Sequence, residues 1–254
     1  MKIPVALTVA GSDSGGGAGI QTDLKTFHAL GVFGTSAITT ITCQNPRRVS
    51  AIQAATPAIV AGQLDRILEA FPVRAAKTGM LYNAAIIRTV ARYRLKNLVV
   101  DPVMVASSGA RLLQPAAIAA LQDRLLPQAT VITPNLAEAE LLAGQRIRTV
   151  ADLHAVAELL ARRLGTAVIV KGGHLAGVTR SVDVLFVGRR AHEFSAPHVP
   201  GIKTHGTGCT FSAAIAGNLA LGYNLIAAVG RAKVFITRAI RDAIQIGRFH
   251  ALKI

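Results

Sequence analysis

Short runs of β-branched and aliphatic residues alternate with segments of helical periodicity along the chain, and this alternation constrains the fold more than any other feature. Strands are expected at Val5–Ala10, Thr35–Thr42, Ala75–Thr78, Leu98–Asp101, Thr130–Thr133 and Ala167–Val170. Their continuous apolar character suits parallel strands covered by helices on both faces. Helices are expected at Ile20–Leu30, Pro57–Phe71, Ala84–Tyr93, Pro115–Leu125, Leu136–Leu142 and Val150–Leu164. The last third reads as a hairpin, Ser181–Val187 and Glu193–Ala196 joined through Gly188-Arg189-Arg190, then two helices, Thr210–Leu221 and Leu225–Ile246. No repeat, linker or low-complexity segment intervenes, so residues 1–254 read as one α/β domain with a mostly parallel sheet.

The net charge of +15 reflects 28 basic against 13 acidic residues, an excess that draws anions. The bases form no run, and with no Trp and three Tyr there is little surface for base stacking. A field that attracts phosphorylated metabolites is the better reading, and a dedicated nucleic-acid role is not expected. Cys43 and Cys209 lack any metal-ligand spacing, which fits reduced thiols in a cytoplasm. The apolar start, Pro4–Ala10, runs into a glycine cluster and reads as a buried strand rather than a leader. The uncharged stretch Gly206–Gly230 is long enough to cross a bilayer, but polar residues dilute it. Gly222-Tyr223-Asn224 breaks it into two buried helices, so no membrane association is expected.

In open α/β sheets ligands gather at the carboxyl ends of the strands, and the chemically capable residues of this chain stand there. His205-Gly206-Thr207-Gly208-Cys209-Thr210 opens a helix, so its amides and the helix dipole can hold an anion. Cys209 shares that dipole, which lowers a thiol's pKa; the bland alternative is a packing cysteine. Gly11–Gly19 is neither a Walker loop nor a dinucleotide fingerprint, since Ile20 stands at the last glycine position. It is either a flexible turn or a small-residue wall, including Gly11 and Ala18, for a flat substrate. Asp23, one turn into the next helix, could accept a substrate hydroxyl or complement the helix N-terminus. Asp101 and Glu138 offer carboxylates for Mg²⁺, although Asn135 followed by Glu138 also fits a capping box. Lys171, before Gly172-Gly173, can neutralise a triphosphate or be a surface lysine before a turn.

Together and in this order, these segments resemble the hydroxymethylpyrimidine/phosphomethylpyrimidine kinases of thiamine biosynthesis, in the ribokinase-like superfamily. The resemblance rests on residues 10–21, Thr42-Cys43-Gln44-Asn45, Ala76-Lys77-Thr78-Gly79-Met80, Val100-Asp101-Pro102-Val103-Met104, Thr133-Pro134-Asn135, Lys171-Gly172-Gly173-His174 and Thr204–Thr210. Sugar kinases of the superfamily carry aspartate where Cys209 stands. The resemblance implies a three-layer αβα sandwich without a separate lid domain, two ATP-dependent phosphoryl transfers, and a homodimer. It implies that Gln44 pairs with the pyrimidine edge, that Gly11, Ala18, Met80 and Val103 line the ring, and that Asp23 holds the hydroxymethyl oxygen. Cys209 takes the position of the base, and the amides of Gly206, Thr207 and Gly208 form the anion hole. Asn135, Lys171, His205 and Thr207 are expected around ATP, and Asp101 and Glu138 around Mg²⁺. A pyridoxal kinase is the nearest rival; an idle pyrimidine- or RNA-binding protein is the rival from another class.

Three departures from the family pattern stand out: Pro46-Arg47-Arg48 after Gln44-Asn45, Lys203 in place of asparagine, and a tail, Gly247-Arg248-Phe249-His250, without the common Gly-His-Gly-Pro close.

Overall fold

The computed structural model describes residues 3–104, 113, 115–173, 175, 179–200, 202 and 205–254. Lys203, Thr204 and His174 of the segments above, and the first two residues, lie outside it. Nine strands form one sheet in the order β3-β2-β1-β4-β5-β6-β7-β8-β9. Six are parallel: β1 (Val5–Asp13), β2 (Phe33–Asn45), β4 (Val73–Thr78), β5 (Leu98–Val100), β6 (Val131–Ile132) and β7 (Ala167–Lys171). Antiparallel strands finish each edge: β3 (Arg48–Ala54) on one side, β8 (Arg180–Val187) and β9 (Arg190–Pro197) on the other.

Successive residues of the central strands point to opposite faces, and both faces are apolar. Leu7, Val100, Ile132 and Val168 pack on the face covered by α2 (Pro57–Ala70), α3 (Ala84–Val90), α4 (Pro115–Ala120), α5 (Leu136–Ala143) and α6 (Val150–Leu164). Their neighbours Ala6, Val99, Val131 and Ile169 pack on the other face, under α1 (Gly19–Ala29), α7 (Thr207–Ala220) and α8 (Leu225–Arg241). The three-layer αβα expectation is therefore met. Because β2 and β4 flank β1, the chain reverses direction across the sheet there, and this switch point opens a crevice at the strand ends.

Local signals explain the helix boundaries. Asn83, Asn135, Thr149 and Asn224 cap the starts of α3, α5, α6 and α8 by accepting a backbone N–H three residues on. Gly144 and Gly165 close α5 and α6 in the left-handed conformation. The break at residues 222–224 falls between α7 and α8, so the uncharged stretch is two helices, and no helix among the described residues is long and apolar enough to cross a membrane.

Four expectations need correction. β3 is missing from the expected strands, because Pro46-Arg47-Arg48 at its start and the irregular spacing of half-buried Val49, Ile52 and Ala54 leave no clean alternation. The helix α7 starts at Thr207 rather than Thr210, since Gly206 takes a left-handed φ of +85° and begins the turn. The segment Pro115–Leu125 is only helical in the ordinary sense to Ala120, after which Leu121–Leu125 widens into a π-turn. The last helix ends at Arg241, not Ile246. Ile244–Ile246 (β10) instead pairs with Phe249–Ala251 (β11) around Gly247. The Arg47 guanidinium lies 5.5 Å from the centre of the Phe249 ring, so two of the three departures meet in space.

α1 and α7 pack closely because Gly217 leaves no side chain between them; a Cβ there would come within 2.7 Å of Leu30. Phe27 fills the centre of this contact and is fully buried. Phe27→Ala is expected to cost about 3–5 kcal/mol, read as a fall in the urea midpoint.

Candidate active site

A cleft of about 1000 Å³ opens along the carboxyl ends of the parallel strands. Its lining includes Gly11, Ala18, Gln44, Met80, Val103, Asp101, Asn135, Glu138, Lys171, His205, Thr207, Gly208 and Cys209. All the candidate site residues except Asp23 thus reach one cavity, Gly206 among them.

One end of the cleft is built by β1 and β2. The Asp13 carboxylate accepts the amides of Gly15 (2.8 Å) and Ala18 (2.9 Å), which folds the glycine cluster back over the strand end. Burial works against ionisation of Asp13, but His205 and these amides outweigh it and hold the carboxyl below its usual range. Ser14 clips the loop to β2: its hydroxyl accepts the Gln44 amide and donates to the Gln44 carbonyl. The Gln44 side chain then lies beside Thr42 and His205. Val103 holds a φ of +39°, which a β-branched residue adopts only at a cost. The next amide, of Met104, is tied to Glu138 at 3.0 Å, and this fixes the strained turn against the cleft.

The other end is built by α7 and β7. Gly206 passes so close to Gly17 that an added Cβ would meet the Gly17 carbonyl at 1.7 Å. Glycine at 206 is therefore required twice, by contact and by φ. The first amides of α7 have no partner within the helix, and they face the cleft beside Lys171. A Cβ on Gly208 would sit 3.2 Å from the Lys171 ammonium, which shows how closely this turn approaches the charge. Lys171 donates to Asp101 at 3.0 Å. Burial alone would lower the lysine's pKa, yet Asp101 and Glu138 raise it above its usual range, so the ammonium stays charged. Asp101 also accepts from Thr133 and Ser212.

Three expected roles change. Asp23 is fully buried, and its two oxygens take the Lys77 ammonium (both 2.8 Å) and the Thr8 hydroxyl (2.6 Å). It lies outside the cleft lining, and in this structure it complements a buried lysine rather than a helix end. Cys209 is only partly exposed, and burial pushes its thiol up to about 11, opposed by Lys77 and by the Gly19 amide directed at it. Desolvation, with the Asp23 and Asp101 charges, outweighs these, so the resting group is the thiol. Glu138 completes the capping box: its oxygens accept the Asn135 and Met104 amides, so the capping reading of this residue is met.

Four groups escaped the sequence reading. Lys77 stands in a strand buried on both faces, where a charge needs a buried counter-ion. Lys233 interrupts the apolar stripe of α8 and donates to Asp183 (2.8 Å) and Ser181 (2.9 Å). Asp183 in turn accepts the Gly172 amide, next to Lys171. Asp13 two residues ahead of a glycine is an Asx-turn pattern. In each case the signal was a polar residue at an apolar position or a turn.

The family model for phosphomethylpyrimidine kinase matches residues 13–252. A hydroxymethylpyrimidine/phosphomethylpyrimidine kinase of Synechococcus elongatus is 48% identical over 252 residues, 98% of this chain and 95% of the relative. The Bacillus subtilis pyridoxal kinase, solved as an ADP complex, superposes with a TM-score of 0.90 at 38% identity, covering 99% of this chain and 97% of its own. A phosphomethylpyrimidine kinase of Clostridium difficile gives 0.81 at 43% identity, over 94% of this chain and 100% of that one.

The Cys209 environment predicts slow alkylation. At pH 8 a thiol with a pKa of about 11 is ionised to roughly one part in a thousand. Iodoacetamide should label exposed Cys43 first, and labelling of Cys209 should climb only as the pH approaches 11, as peptide mass spectrometry would show.

Proposed function

The chain belongs to the hydroxymethylpyrimidine/phosphomethylpyrimidine kinase family, and from that premise we propose how its residues divide the reaction. The enzyme is a kinase of thiamine biosynthesis with a ribokinase-like fold. It phosphorylates the hydroxymethyl group of 4-amino-5-hydroxymethyl-2-methylpyrimidine with ATP, then the phosphate so formed.

One observation carries the division of roles: the first amides of α7, which have no partner within the helix, and the Lys171 ammonium border the same cleft as Gln44. The pyrimidine lies at the Gln44 end, with Gly11, Ala18, Met80 and Val103 against the ring. Gln44 offers a donor and an acceptor to the aminopyrimidine edge. The amides of Gly206, Thr207 and Gly208 stabilise charge on the migrating phosphoryl group, and Lys171 neutralises the nucleotide phosphates. Asn135 and Thr207 border that path. The base of ATP takes the apolar slot formed by Pro197, Val199, Ile202, Ile236 and Ile240, which continues the cleft past α8.

Cys209 receives the hydroxyl proton only in its thiolate form, which Lys77 and the Gly19 amide favour and burial opposes. Charge neutralisation and positioning therefore carry most of the rate. Mg²⁺ fits the remaining charge. Asp101 and Glu138 both face Lys171, so two carboxylates share one ammonium, and each Glu138 oxygen accepts a single amide. Such an ion would be held by one or two carboxylates, with water and phosphate completing its shell. When bound by Asp101 and Glu138, the ion would supply positive charge that neutralises the phosphates.

A homodimer and a cytoplasmic location belong to the same proposal. Exposed Ile41 near the open β3 edge gives surface for a second copy, and a working thiol suits a reducing compartment. Phosphorylation of pyridoxal is the second reading, favoured by the close superposition on a pyridoxal kinase.

Side-by-side ATP-consumption assays with hydroxymethylpyrimidine, its monophosphate and pyridoxal decide between them. Turnover of both pyrimidines is expected; turnover of pyridoxal alone would overturn the assignment. Lys171→Met should lower kcat by about 10²–10³ while calorimetry still detects pyrimidine binding. Cys209→Ala should cut turnover severely with binding retained; an unchanged rate would remove Cys209 from proton transfer.

A further inference from the structure

The Gln44 carboxamide lies in a chain of contacts whose hydrogens must be assigned consistently. Its amide nitrogen is 3.0 Å from His205 Nε2, and the same Nε2 is 3.3 Å from the Asp13 carboxylate. Its amide oxygen is 3.2 Å from the Thr42 hydroxyl, which also lies 2.8 Å from the Ser12 carbonyl. His205 Nδ1 is buried with no partner among the described residues.

If Nδ1 carried the proton, a buried N–H donor would have no acceptor, and the Nε2 lone pair would face an ionised carboxylate. The single Thr42 proton would also have to serve two acceptors. Each of these leaves a polar group without a proper partner among side chains that are mostly buried.

If Nε2 carries the proton, every conflict disappears. Nε2–H is shared by the Asp13 carboxylate and a Gln44 oxygen turned toward it. The Gln44 N–H donates to Thr42, and Thr42 donates to Ser12. Nδ1 is then a bare acceptor, the cheaper group to leave alone. The oxygen and nitrogen of a carboxamide are nearly isosteric, so the turn-over needs no movement of the chain.

We propose that Asp13 fixes His205 as its Nε2–H tautomer, and that His205 is a positioning residue which locks the Gln44 carboxamide with its oxygen toward the imidazole. This deepens the reading above and rests on Gln44 meeting the substrate edge. An aminopyrimidine presents a ring acceptor beside an amino donor, so it pairs with a carboxamide in one orientation only. Pyridoxal has no amino group beside its ring nitrogen and gains less from that lock. His205 thus selects for the aminopyrimidine without touching it, a different task from the nucleotide contact expected of it.

Two measurements test this. Long-range ¹H–¹⁵N correlation spectra of the labelled full-length protein report the tautomer, with the His205 signal assigned by its loss in His205→Phe. The Nε2–H pattern is expected; an Nδ1–H pattern would overturn the proposal. In kinetics, His205→Phe keeps the ring volume and loses the donor, whereas His205→Gln keeps an N–H. The Phe variant should raise KM for hydroxymethylpyrimidine about tenfold with kcat and KM for ATP within threefold. The Gln variant should recover most of that loss. Equal losses in both variants, or a loss confined to ATP, would sink the lock. The spectra read the tautomer whatever the substrate, so a wild-type enzyme inactive on the pyrimidine would refute the functional reading and leave the tautomer decided on its own.

Discussion

The Lys171–Asp101 contact is the constraint around which the cleft is arranged. An ammonium brought to the end of a strand that is otherwise apolar must be compensated, and Asp101 at the end of β5 does so while Glu138 adds a second negative charge nearby. Burying such a pair gains little stability relative to an apolar replacement. Its value lies elsewhere: the site carries a fixed positive charge, held by protein rather than by water, before any phosphate arrives. Gly208 has no side chain because that charge comes right up to the helix turn. The Gly172 amide, held by Asp183 and through it by Lys233, keeps the strand end from turning away.

A second buried pair, Lys77–Asp23, lies under the wall on the other side of Cys209. Lys77 is fully buried, and although burial acts against its charge, Asp23 outweighs that and holds it protonated. Cys209 therefore sits between an anion-attracting turn and a cationic floor, with its own desolvation working against both. The thiol is neither a free nucleophile nor an inert packing group; its proton is held by a balance of opposing terms. Where sugar kinases of the superfamily carry aspartate, this chain carries a group that stays neutral at rest.

Much of this was legible in the residues. Continuous apolar strands placed the sheet, and Asn135 followed by Glu138 read as the capping box that opens α5. Position on a strand end placed Gln44, Lys171, Asp101 and the α7 turn around one cavity. The illegible parts share a physical cause. Asp23 looked available because its partner Lys77 is 54 positions away and only the fold joins them. The dipole argument for Cys209 omitted desolvation, which depends on what covers the residue. β3 and the β10–β11 hairpin are short edge elements whose pairing is decided by neighbours rather than by their own pattern.

The contact between Arg47 and Phe249 links two stretches that are remote along the chain, the turn after Gln44 and the closing hairpin. The hairpin is in turn anchored to the rest of the fold, since the Lys253 amide donates to the Ala239 carbonyl on α8. Replacing the Pro46-Arg47-Arg48 turn alone would take the guanidinium off Phe249, and replacing only the tail would take the ring from Arg47. In chimaeras the two segments form one transplantable module, to be exchanged together or left alone.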